Sequence, residues 1–85
     1  SVNSNTSAID FEMYPNPVND LLTIKVQDGF EGEFKIYDMQ GKLMLIDNLF
    51  GSVQLSITDL SVGMYIVQII SKKGDVATSR LSVSR

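Results

Sequence analysis

The sequence predicts an all-β protein, a seven-stranded immunoglobulin-like antiparallel β-sandwich. Three observations carry that expectation. Apolar residues alternate with polar ones along almost the whole chain, helical periodicity is sustained nowhere, and turn signals separate short runs spaced about ten residues apart. A closed barrel is the competing architecture. One run that is apolar on both faces, together with loops of unequal length, favours two packed sheets over a barrel.

The elements follow in order. Ser1 to Ala8 is polar and reads as a flexible linker, which suggests that the chain was cut from something longer, so the folded unit is expected over 9–85. Ile9, Phe11 and Met13 alternate with Asp10 and Glu12 in a first half-buried strand. Tyr14-Pro15-Asn16-Pro17-Val18-Asn19-Asp20 then forms a stiff corner. Each proline ring fixes its own φ, removes an amide donor and pushes the preceding residue towards extended geometry. Leu22, Ile24 and Val26 alternate with Thr23, Lys25 and Gln27 in a second strand, and Phe34 and Ile36 mark a third. Leu43 to Ile46 is expected as the fourth, and Val53, Leu55 and Ile57 as the fifth. Met64 to Ile70 is apolar on both faces and reads as a central strand, while Val76 to Val83 closes the domain. Asp38-Met39-Gln40-Gly41 and Ser71-Lys72-Lys73-Gly74 both suit a type I turn with a glycine bulge, which predicts hairpins between strands 3 and 4 and between strands 6 and 7.

Composition narrows the function. The 85 residues suffice for one domain, and a net charge of -3 is spread without any basic stripe that could track a phosphate backbone. Nucleic acid is therefore not an expected partner. The longest apolar run is broken by Gln68 and is too short to cross a bilayer, and the first eight residues lack both the charged start and the apolar core of a signal peptide. With no histidine and no cysteine, the commonest general base, the thiol nucleophile, disulfides and thiolate zinc sites are all excluded. The serines fall in turns and on polar strand faces; a serine–lysine pair stays open from the sequence, but no local motif supports one. Glu31 and Glu33 read as a solvated acidic rim, and the seven aspartates are scattered without EF-hand spacing, which leaves only a weak interloop calcium site open. No enzyme and no cofactor is expected.

Two further segments carry information. In Asp59-Leu60-Ser61-Val62-Gly63-Met64-Tyr65, Gly63 allows a tight approach to the strand with positive φ. Tyr65 can bury its ring and return its hydroxyl to the loop backbone, as in the tyrosine corner of immunoglobulin-like sandwiches. The ending Arg80-Leu81-Ser82-Val83-Ser84-Arg85 is a basic alternating strand.

Together and in this order, these pieces resemble the C-terminal sorting domain (type A) of proteins exported by the type IX (Por) secretion system of Gram-negative bacteria. The matching residues are Tyr14, Pro15, Asn16 and Pro17, then Ile36 to Lys42 with Gly41 and Lys42, then Leu60 to Tyr65 with Gly63, and finally the Arg80-to-Val83 spacing of a basic residue three before a valine; translocon recognition is expected of Arg80, Leu81, Val83 and Arg85. Arg80 stands where lysine is common. The resemblance implies a C-terminal transport tag behind an N-terminal cargo domain. It also implies outer-membrane translocon components and a surface sortase-like cysteine peptidase as partners, periplasmic transit, and final residence at the cell surface or in the medium. Cleavage would fall near Ser1 to Ala8. In this reading the final strand offers an unpaired outer edge to a partner strand, and Arg80 and Arg85 complement an acidic surface. The domain itself does not insert into the membrane. An immunoglobulin-like adhesion or carbohydrate-binding accessory module fits the same fold. Phe11, Phe34 and Tyr65 are assigned to the core, and Tyr14, Phe30, Tyr37 and Phe50 are left scattered, which speaks against an aromatic sugar platform.

Overall fold

The computed structural model describes residues 9–84, so Arg85 and the expected linker over 1–8 lie outside the described residues. Seven antiparallel strands form two sheets: β1 (Phe11–Tyr14), β2 (Leu21–Val26), β3 (Glu31–Asp38), β4 (Leu43–Phe50), β5 (Val53–Ser56), β6 (Gly63–Ser71) and β7 (Val76–Val83). One sheet has the order β1-β2-β5 and the other β4-β3-β6-β7. This is the immunoglobulin-like sandwich that the alternating pattern predicts.

The period of two sorts the side chains. Leu22, Ile24 and Val26 of β2 face Phe34 and Ile36 of β3, Tyr65, Val67 and Ile69 of β6, and Leu81 and Val83 of β7 across one core. Ile9, Val18, Phe30, Leu49, Ile57, Leu60 and Ala77 complete it, and no polar or charged residue is buried among the described residues. Burial of this apolar surface is the main stabilising term, because no disulfide is available to restrict the unfolded chain.

Both hairpins form as the turn residues dictate. Gly41 N–H donates to the Asp38 carbonyl at 3.1 Å, Asp38 N–H donates to the Lys42 carbonyl at 2.9 Å, and Gly41 takes φ +88°. That is a type I turn closed by a glycine bulge. The Asp38 carboxylate also accepts the N–H groups of Gln40 and Lys42. Gly74 N–H donates to Ser71 in the same manner at the β6–β7 turn.

Three expectations need correction. The fourth strand does not stop at Ile46 but runs to Phe50. It is an edge strand, so polar Asp47 and Asn48 can continue the ladder with their side chains exposed. Phe30, expected at the surface, is buried in the core just before β3, where its N–H bonds the Gln27 carbonyl. β6 is interior to its sheet, as expected, but only one of its apolar faces is covered. Met64 stays exposed, and Ile66 and Ile70 are half-buried on the outer side.

Gly32 answers a different demand. A Cβ at this position would run into the Ile70 carbonyl and lie 2.9 Å from the Ser71 Cα, so β3 and β6 approach closely only because the side chain is missing. Gly32→Ala is expected to destabilise the domain by about 1–3 kcal/mol through the forced backbone shift, read as a lowered urea midpoint at constant slope.

Candidate functional site

The segments singled out in the sequence gather at one end of the sandwich. In the four-stranded sheet, Asp38 pairs with Tyr65 and Tyr65 with Leu81. The end of β3, the start of β6 and the end of β7 therefore lie side by side. The Gly41–Lys42 turn and the loop from Asp59 to Gly63 belong to that end, and the proline corner closes over it.

The corner does more than turn the chain. Residues 15–20 connect β1 to β2 in the three-stranded sheet, with cis peptides at Tyr14–Pro15 and Asn16–Pro17. Val18 leaves that sheet to form a parallel bridge with Val83 of the other. Its N–H donates to the Ser82 carbonyl at 2.8 Å, and its carbonyl accepts the Ser84 N–H at 2.8 Å. Val18 is wholly buried between the sheets. Asn16 extends the contact by its side chain. Ser82 N–H donates to Asn16 Oδ1 at 3.1 Å, and Asn16 Nδ2 donates to the Arg80 carbonyl at 3.3 Å, a contact between residues 66 apart for the Ser82 pair.

This overturns the expected open edge along the whole final strand. Over residues 80–84 the outer edge of β7 is occupied by the corner. Nearer its start, around Val76 and Thr78, β7 has no neighbouring strand on that side among the described residues.

The remaining motif residues fall into two groups. Tyr65 is buried and its hydroxyl donates to the Ser61 carbonyl at 2.7 Å, so the expected tyrosine corner is present. Leu60 packs beneath the same loop, and Gly63 takes φ +153° at the start of β6. Leu81 and Val83 are core residues, not surface contacts. Exposed at this end are Tyr14, Pro15, Asn16, Pro17, Gly41, Lys42 and Arg80. Arg80 shares a row of the outer face with Ile66, Tyr37 and Leu43. The ion pairs of the described residues are Lys35–Glu33 at 3.8 Å and Lys72–Glu31 at 3.3 Å, so the Arg80 guanidinium has no carboxylate partner there.

The opposite end holds a shallow open groove lined by Glu31, Glu33, Asn48, Phe50 and Lys72. Phe50 is strongly exposed beside it, whereas Tyr14 lies at the motif end on the other sheet, so the exposed aromatics do not form one platform. Among the described residues no group of three or more acidic side chains is placed to hold a metal ion.

Fold and site together define a β-sandwich module whose distinctive residues are collected at a single end. Residues 12–84 match the family of secretion system C-terminal sorting domains (Por_Secre_tail), and the chain belongs to that family. It is a type IX secretion C-terminal sorting domain, a class that is not catalytic, and it directs export towards the cell surface or into the medium. The family implies a cargo region N-terminal to the domain and the type IX machinery as its counterpart. Among solved structures, the chain is similar to CopC from Methylosinus trichosporium OB3b, with a TM-score of 0.53 and 17% identity, covering 87% of this chain and 91% of that one. At that identity the likeness concerns the fold alone. Comparison with curated proteins finds no match.

Removing the Tyr65 hydroxyl deletes one hydrogen bond while leaving the buried ring in place. Tyr65→Phe is expected to cost about 1 kcal/mol, which lowers the melting temperature by about 4–8 °C for a domain of this size, followed by circular dichroism.

Proposed function

We propose that the motif end is the address read during export, with the exposed cation Arg80 as its central contact and Arg85 as a second. Partners are outer-membrane translocon components carrying an acidic surface. The cargo reaches them from the periplasm, and a surface sortase-like cysteine peptidase then cuts in or near Ser1 to Ala8, releasing the cargo or leaving it attached. The observation that supports this reading most directly is Arg80 itself. It is exposed, it is unpaired among the described residues, and across the strand it meets Ile66, with Met64 and Gln68 diagonal to it and no carboxylate among them. Long-range attraction then guides encounter, and the apolar neighbours supply contact area.

Main-chain strand addition over residues 80–84 does not fit this reading, because the corner already takes those hydrogen bonds. Over those residues, side chains leaving the outer face are what remains for a partner. Leu81 and Val83 contribute by anchoring the strand in the core, and the Gly41–Lys42 turn and the Tyr65 corner hold the neighbouring strands in place.

The test uses a fluorescent reporter placed between a signal peptide and this chain in a secreting bacterium. The parent fusion is expected at the surface or in the medium. Arg80→Glu turns attraction into repulsion at an exposed position, with folding retained. A change of about 1.4 kcal/mol at the contact corresponds to roughly a tenfold loss of binding, so reporter accumulates in the periplasm. Normal export of the Arg80→Glu fusion overturns the proposed address. Deleting Leu81 to Arg85 is a blunter probe, since it also removes two core side chains.

A further inference from the structure

Asn16 holds the outer edge of β7 by its side chain alone. A neighbouring strand would offer a main-chain donor and acceptor at this point, but Pro15 and Pro17 have no N–H to give. A primary amide is the neutral side-chain group that carries a donor and an acceptor on one short planar unit. Asn16 uses both, one on Ser82 N–H and the other on the Arg80 carbonyl. Two residues later the main chain of Val18 takes over, at Ser82 and Ser84. The corner thereby covers the Arg80 carbonyl, both polar groups of Ser82 and the Ser84 N–H in one continuous register.

We propose that Asn16 is a positioning residue for export: its carboxamide fixes the backbone on either side of Leu81 and so sets the direction in which the Arg80 side chain leaves the sheet. This rests on the reading of Arg80 as part of the address. Without the amide, the Arg80 carbonyl and the Ser82 N–H lose their outer partners, and residues 80–82 are held on that side only by the Val18 bond to the Ser82 carbonyl; an edge strand held mainly on one side opens more often than the interior. Asn16 itself is exposed and outside the core, in contrast to Val18. Truncating it therefore loosens the edge with little effect on global folding.

The experiment compares Asn16→Ala, Asn16→Asp, Arg80→Glu and Gly32→Ala, using amide hydrogen exchange of this chain and export of the reporter fusion. In Asn16→Ala the Ser82 amide is expected to exchange about five- to tenfold faster, the yield of one lost hydrogen bond, while Ile69 in the sheet interior is unchanged. Export falls several-fold although the melting temperature stays close to that of the parent. Asn16→Asp keeps an acceptor for Ser82 but loses the donor to Arg80, so Ser82 protection is largely retained while export still falls. Gly32→Ala, which lowers stability at the opposite end of the sandwich and leaves the corner in place, exports like the parent. Unchanged Ser82 exchange in Asn16→Ala, or export equal to that of Gly32→Ala, overturns the positioning role. Loss of export in Arg80→Glu with normal export in Asn16→Ala refutes that role alone, whereas normal export in both refutes the underlying address as well.

Discussion

The parallel bridge between Val18 and Val83 is the constraint on which the arrangement of this domain depends. Two sheets of a sandwich ordinarily meet only through side chains, and apolar contact is non-directional. Here a short segment of one sheet's connection is hydrogen-bonded to the last strand of the other, at Ser82 and Ser84. Directional bonds of this kind fix the lateral placement that hydrophobic burial leaves loose. The buried Val18 side chain supplies the apolar anchor at the same position, so register and burial reinforce one another.

The rest of the motif end follows from that seam. With β7 held by the corner on one side and β6 on the other, the Tyr65 ring is enclosed beside Leu81 and its hydroxyl reaches back to Ser61. The Asp38–Lys42 turn then sits next to the start of β6. Four segments far apart in the chain become one surface, on which Arg80 and Lys42 are exposed and Ile66 lies opposite Arg80. A core built from aliphatic and aromatic side chains, with no buried charge among the described residues, carries the stability that disulfides supply in many small exported domains.

Much of this was legible in the sequence, for local reasons. Strict alternation in β2 and β3 announces strands, Asp38 with Gly41 and Ser71 with Gly74 announce their hairpins, and Gly63 with Tyr65 announces the corner because its partner, Ser61, is only four residues away. What was not legible depends on tertiary neighbours. Val18 and Asn16 read as turn residues, and nothing local says that their hydrogen bonds go to Arg80, Ser82 and Ser84. Phe30 sits in a polar stretch and becomes a core residue only because the loop folds inward. The length of β4 is set by pairing with β3, which tolerates Asp47 and Asn48 at an edge. The need for glycine at position 32 arises from the Ile70 backbone, which no single-strand pattern reveals.

The seam also has a temporal meaning. The corner emerges from the ribosome among the first residues of the domain, yet the groups that satisfy Val18 and Asn16 arrive only with its final strand. A polypeptide interrupted anywhere before Ser82 leaves those bonds unmade and the sandwich unclosed. The shape that marks a protein for departure is thus assembled last, so that only completed cargo carries a finished label.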